Sequence, residues 1–343
     1  MPHDSARPFT LAALPGESLN IRLTMRFLAI ALATVGAAMA SSAFAHGVVG
    51  KRFFPATIAT DDPFVSDELS LPTISSIRTN ASGDEPAGRE TSLSGEFSKR
   101  ITPDFGISIG LERQRVKPQG EPAVHGFGNT ELGLKYQIYQ DEKREALVSL
   151  GLDWEIGGTG SRSIGAERFS TYTPAVFFGK GFGDLPASMQ MLRPLAVTGS
   201  LGVGIPSRSR TTSTAIDADT GETVTSVERN PHVLQLGLAV EYSLPYLQSF
   251  VKDIGLPEPF SRMIPLVEFS LQRPLDRVSD KRTTGSVNPG VIWSGRKMQV
   301  GFEAVIPVNR QSGHGVGWQA QLHFFLDDIF PRGIGRPLIA SGR

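Results

Sequence analysis

An alternation of period two, repeated about a dozen times, constrains this chain more than any other feature. In EALVSLGLDWEI, residues 145–156, Ala146, Val148, Leu150, Leu152, Trp154 and Ile156 share one parity; Glu145, Leu147, Ser149, Gly151, Asp153 and Glu155 share the other. Successive side chains of an extended strand point to opposite faces, so such a segment has one oily and one polar face. The same pattern recurs around residues 69–79, 93–98, 105–112, 130–138, 172–178, 195–205, 234–242, 267–271, 291–293, 298–306 and 316–324, giving twelve segments. Prolines 174, 265, 289 and 307 are expected at strand ends or bulges, because proline cannot donate to a ladder.

The connections carry a second, independent signal. Long polar links follow the odd-numbered segments, as in NASGDEPAGRE, VKPQGEPAVHG and LDRVSDKRTTG, whereas TPD, QDEKR and SGR follow even-numbered ones. Outer-membrane barrels show this asymmetry, with short periplasmic turns, longer external loops and an even strand count. The stretch 246–262, with SFVKDIG inside it, is too long for a tight turn and reads as a short periplasmic helix against the rim. A soluble sandwich would also alternate, but it has no reason to sort its loops by parity. The expected fold is therefore all-β: a transmembrane antiparallel up-and-down β-barrel of about 12 strands, closed because an open edge in hydrocarbon leaves peptide groups unpaired.

The segment MRFLAIALATVGAAMASSAFA, residues 25–45, has a positive start, an apolar run and a small-x-small end, the layout of a secretory signal peptide cleaved after Ala45. Its apolar run falls short of a bilayer-spanning helix. The expected organisation is an upstream extension over 1–24 absent from the mature protein, a signal peptide over 25–45 and a periplasmic N-terminal segment over 46–64. The barrel follows over 65–326, and a periplasmic tail over 327–343. Lys and Arg number 34 and Asp and Glu 34, so no global basic field recruits nucleic acid. With no cysteine, disulfides and thiol chemistry are excluded. The expected location is the outer membrane, and the expected partners are its lipid, its assembly machinery and a small-molecule solute.

GFGNTELGLKYQIY, VNPGVIWSGRKMQVGFEAVIPVNR and GWQAQLHFF resemble outer-membrane barrels of the meta-pathway phenol-degradation group. The shared pattern Gly-x-Gly-(Asp/Asn)-x-x-Leu-Gly-x-Lys-Tyr is met by Gly126, Gly128, Asn129, Leu132, Gly133, Lys135 and Tyr136. This chain carries Asn129 where Asp is commoner, and LDDIFPRGIGRPLIASGR continues past Phe325. The resemblance implies passage of small, often apolar or aromatic molecules across the outer membrane.

On the barrel reading, Tyr136, Trp154, Tyr172, Tyr242, Trp293, Trp318 and Phe324 fall on the outward parity as lipid-interface aromatics. Glu96, Arg100, Glu112, Glu131, Lys135, Asp153, Glu155, Glu241, Glu268, Gln272, Lys297, Glu303, Gln319, Gln321 and His323 fall on the inward parity as lumen-lining candidates. Acids outnumber bases, which suits a polar conduit with a mild preference for cations, or equally a salt-bridged interior holding a small barrel shut. No catalytic constellation emerges: His125 and His314 sit in expected external loops without a Ser on a matching face, and SLGVGIP lacks the helix a phosphate loop needs. His46 reads as incidental to cleavage, and the acidic loop within 211–228 lacks calcium-ligand spacing. Neither enzyme activity, metal nor cofactor is expected. The two function classes left are a channel for a small solute and a filled, non-transporting barrel acting as adhesin or scaffold through residues 207–230.

Overall fold

The structure, a computed structural model, describes residues 47–81, 86–216, 223–278 and 281–339. The proposed extension over 1–24 and signal peptide over 25–45 lie outside them. Twelve long strands follow one another: β1 (Glu68–Thr79), β2 (Gly88–Arg100), β3 (Phe105–Pro118), β4 (Thr130–Asp141), β5 (Ala146–Ile156), β6 (Thr171–Gly181), β7 (Leu195–Pro206), β8 (Val233–Tyr242), β9 (Met263–Pro274), β10 (Thr284–Ser294), β11 (Met298–Pro307) and β12 (Gly317–Phe325). Each pairs antiparallel with its sequence neighbours, and β12 pairs with β1 from Trp318↔Ser76 to Phe325↔Glu68, closing the ring. Val124–Phe127 adds a short strand beside the far end of β3, and Arg210–Ile216 pairs with Thr223–Arg229 as a separate hairpin between β7 and β8.

The alternation decides which face looks where. Along β3, Ile107, Ile109 and Leu111 are 41%, 42% and 56% exposed on the outside, while Gly106, Ser108, Gly110 and Glu112 face inward. Leu147 is an apolar residue on the polar parity of β5; it is buried to 1% against Phe54, Val49 and Ala196. Two bulges shift the parity. In β4 the register slips between Gln137 and Tyr139, so Tyr139, as well as Tyr136 and Ile138, is about half exposed. In β1 it slips between Ser70 and Thr73.

The prolines depart in part from expectation. Of the four, Pro174, Pro265 and Pro289 lie inside β6, β9 and β10, and Pro307 ends β11. Each of the three coincides with a gap on one side: the β6–β7 ladder skips from Ala175 to Tyr172, the β10–β11 ladder from Val287 to Gly290, and the β8–β9 ladder ends at Leu266. A residue without an N–H is tolerated where one of its two ladders is interrupted.

The segment expected to rest in the periplasm behaves otherwise. Residues 47–67 enter the ring and touch inward side chains of strands on several sides. Gln299 on β11 donates to the Ala56 carbonyl at 2.6 Å, Ser149 on β5 to the Pro63 carbonyl at 2.6 Å, and Lys135 on β4 to the Asp62 carbonyl at 2.7 Å. Room comes from missing side chains: a Cβ at Gly301 of β11 would collide with Ile58, and one at Gly106 of β3 would stand 2.9 Å from Val65 Cγ1. This placement has a physical cause. A chain with no period of its own carries unpaired peptide groups, and the inward Glu, Gln, Ser and Lys residues satisfy them.

At the end of the barrel where β2 turns into β3, this plug is tied down twice. Arg52, fully buried, donates to Glu145 Oε2 at 3.1 Å, to the carbonyls of Pro194 and Arg193, and lies over the Tyr246 ring, 3.8 Å from its centroid. Glu145 holds a left-handed backbone at φ 48°, which costs roughly 1–2 kcal/mol, and it accepts from the Tyr246 hydroxyl at 3.0 Å and the Gly183 N–H at 3.1 Å. Burial, with the Glu145 carboxylate close by, pushes the Tyr246 phenol up to about 12, so it stays a donor. Tyr246 belongs to the connection 243–262, which forms a helical turn over Leu244–Tyr246 and a wider one over Leu247–Val251, matching the short helix expected there.

The second tie is Asp67, fully buried between Lys99 Nζ at 2.5 Å and Arg100 Nε at 2.8 Å. Its carbonyl accepts from Leu326 N, Arg100 reaches Asp327 at 3.6 Å, and the tail beyond β12 bonds through Leu338 and Ile339 to the carbonyls of Arg100 and Ile101. Removing one partner of a buried charge cluster leaves the others uncompensated, at about 3–5 kcal/mol. Asp67→Ala is therefore expected to lower unfolding stability by about that amount. The temperature at which the folded gel band converts to the unfolded one checks it; an unchanged conversion temperature would remove Asp67 from this role.

Candidate functional site

The plug does not fill the ring evenly. Ile58 and Ala59 N–H groups donate to Glu268 on β9 at 2.8 and 2.9 Å, and the Thr60 hydroxyl joins them at 2.9 Å, so residues 58–60 lie against the β8–β11 wall while 62–65 cross toward β3–β5. Beside it remains a cavity of about 660 Å³, lined chiefly by β12 and β1–β5 together with the plug itself.

The inward candidates divide between these two settings. Glu96, Glu112, Glu131, Lys135, Asp153, Glu155, Gln272, Gln321 and His323 line the cavity. Glu241, Glu268 and Glu303 face inward but are buried to 1% exposure or less, away from the cavity lining, and Gln319 donates to Glu303 Oε2 at 2.7 Å. Arg100 sits in the Asp67 cluster at the rim where β2 turns into β3, and Lys297 lies exposed in the turn between β10 and β11. Parity alone could not separate these sets, because a strand face does not record what packs on it.

The cavity wall is acidic by construction. Cross-strand register places Glu96 opposite Gly110, Gly110 opposite Glu131, and Glu131 opposite Glu155, so three carboxylates share one row across four strands. Directly opposed like charges repel, and Asp153 stands two residues from Glu155 on the same face. The structure adds Asp61, Asp62, Glu68 and Glu167 to the lining. None stood in an inward parity list: Asp61 and Asp62 belong to the plug, Glu68 to the first residue of β1, and Glu167 to the loop between β5 and β6. The basic groups on the lining are Lys135, which also lies 4.6 Å from the Phe177 ring centroid, and His323, held by Glu68 Oε2 at 3.1 Å and Ser70 Oγ at 2.8 Å.

The glycine-rich motif at β4 builds this wall. Asn129, 8% exposed, donates to Glu155 Oε1 at 2.8 Å and the Glu167 carbonyl at 3.0 Å and accepts from Gly160 N at 2.9 Å, pinning the loop 157–170 over the end of the cavity where β5 leads into β6. Lys135, six residues on, holds the plug. The outward aromatics fall into two levels: Trp154, Tyr172 and Trp318 near the strand ends joined by the long connections, and Tyr136, Tyr242, Trp293 and Phe324 toward the opposite ends. Trp154 stacks on Tyr172 with centroids 5.9 Å apart, and Phe302 on Trp318 at 6.4 Å.

No protein-family model and no curated protein matches the chain. Among solved structures, an outer membrane channel from Pseudomonas putida F1 superposes with a TM-score of 0.51 at 10% identity, covering 80% of this chain and 99% of that one. The chain has the fold of an outer-membrane β-barrel. The KdgM and NanC porins overlap with TM-scores of 0.41, at 11% and 12% identity, each over 74% of this chain and 98% of theirs.

Glu268 provides the test of the plug's attachment. Losing its three hydrogen bonds, of which those to a charged group contribute about 1.5–3 kcal/mol each, is expected to speed opening of the segment by at least about tenfold. The chain has no cysteine, so Ala59→Cys reports alone. Maleimide labelling of Ala59→Cys in detergent should accelerate by that factor when Glu268→Ala is added, and equal rates in both backgrounds would refute the attachment.

Proposed function

We propose that the chain is an outer-membrane channel that passes small hydrogen-bonding solutes, cations in preference to anions, through the space left beside residues 47–67. The observation that carries this reading is the carboxylate-lined cavity alongside the plug. Rings or rows of Asp and Glu bias a pore toward cations, and a low-dielectric wall strengthens that bias. An outward apolar band with aromatics at two levels suits a lipid bilayer, with the long connections outside the cell. The β4 motif supports a place in the meta-pathway phenol-degradation group. The apolar or aromatic solutes implied by that likeness fit this wall less well, since Glu96, Glu131, Asp153, Ser94, Ser98 and Ser108 present oxygen to whatever passes.

The plug itself favours a second reading: a filled barrel that transports nothing and serves as a scaffold through residues 207–230. Planar-bilayer recording separates the two. The wild-type chain is expected to give small cation-selective openings, Glu268→Ala larger or longer ones, and Glu131→Gln with Glu155→Gln a reversal potential shifted toward zero under a salt gradient. Silence from both the wild type and Glu268→Ala, with folded protein shown by heat-modifiable mobility, would overturn the channel and leave the scaffold.

A further inference from the structure

The outer surface carries its own chemistry at the external ends of β1–β3. The exposed–covered alternation of β3 runs unbroken from Ile107 to Lys117, so Arg113, Arg115 and Lys117 lie on the same outward face as Ile107, Ile109 and Leu111. In the ladder, Lys117 is directly opposite Arg89 on β2, and Arg89 directly opposite Arg78 on β1. All five cations are exposed. Adjacent strands lie roughly 4.8 Å apart and alternate residues roughly 6.8 Å apart, so these charges occupy a patch about 10 by 14 Å.

No carboxylate among the described residues neutralises the patch. Among the described residues, Arg89 donates to the Ser76 hydroxyl at 3.0 Å and Lys117 to the Glu121 carbonyl oxygen, and none of the five pairs with a carboxylate. Like charges held directly opposite one another weaken a sheet, which makes their presence in register unexpected for a surface that meets only water. Immediately below, on the same face, Leu93 pairs with Arg113 and Arg113 with Phe127, so the cations stand where the apolar band ends. Leu93 and Phe127 are 44% and 58% exposed.

We propose that the outward cation cluster Arg78–Arg89–Lys117 with Arg113 and Arg115 binds the phosphate-bearing headgroup of a lipid in the external leaflet. The inference rests on the membrane placement proposed above. Arginine forks match phosphate oxygens in two-pronged fashion, and basic residues beside a membrane concentrate anionic lipid. Continuity with the apolar band selects a lipid over a free anion: acyl chains lie along Leu93, Ile109 and Leu111 while the headgroup meets the cations.

The test uses the full chain in detergent micelles with fluorescent bisphosphorylated lipid A and its dephosphorylated counterpart, read by anisotropy. The wild type is expected to bind the phosphorylated form at least tenfold more tightly. That preference should vanish in Arg89→Gln/Arg115→Gln/Lys117→Gln and persist in Arg296→Gln/Lys297→Gln, which removes two charges at the periplasmic turn. Equal affinity of the wild type for both lipids would overturn the proposal, as would preference retained by the triple variant or displacement by millimolar inorganic phosphate. The wild-type comparison stands even if the triple variant fails to fold. Membrane placement fails separately, if the chain stays in the supernatant after detergent-free ultracentrifugation.

Discussion

A peptide group that finds no partner in hydrocarbon costs several kcal/mol, and one in the interior of a narrow protein ring is scarcely cheaper. The twelve strands meet the first condition by closing β12 on β1. Closing the ring creates the second problem, because residues 47–67 enter its interior with little ladder of their own. They are satisfied by side chains that the strands extend inward: Glu268 for two N–H groups, and Lys135, Ser149 and Gln299 for three carbonyls. The inward polar face of this barrel thus serves first as a set of hydrogen-bond partners for irregular backbone. Only the part left over can meet a solute.

That division explains why the interior is lopsided. Where the plug packs, glycines at 106 and 301 make room and carboxylates are buried beneath it. Where it does not, Glu96, Glu131, Asp153 and Glu155 remain facing open space without a matching set of cations. Repulsion within that row is tolerable because the cavity is roomy and polar enough to hold water, which the buried Glu241 and Glu303 cannot rely on. On the proposed channel function, selectivity and closure arise from one segment, since moving residues 47–67 changes both the width of the opening and the share of the wall that is charged.

Strand number, strand order, the sorting of loops by side and the outward aromatics were legible in the sequence, because each follows from a period of two and from turn length. The local exceptions were not. The bulge after Gln137 brings Tyr139 to the outside against its parity, and Leu147 turns an apolar side chain inward because Phe54 waits there. Glu268 and Glu131 look alike as inward acids of two strands, yet one grips a backbone and the other borders the cavity. What separates them is a segment whose own composition gives no sign of where it lies. The glycines were the available hint: inward positions without side chains on several strands leave volume that something must occupy.

The junction at Asp67 joins the end of the plug, the β2–β3 turn and the tail after β12. A polypeptide leaving the ribosome has made residue 67 long before residue 327 exists, so the Asp67–Lys99–Arg100 core of the junction can assemble first while the contacts of Leu326 and Asp327 come last. Sealing of the β12–β1 seam and docking of the tail onto Asp67 thereby belong to the same late stage, since both wait on residues beyond Gly317.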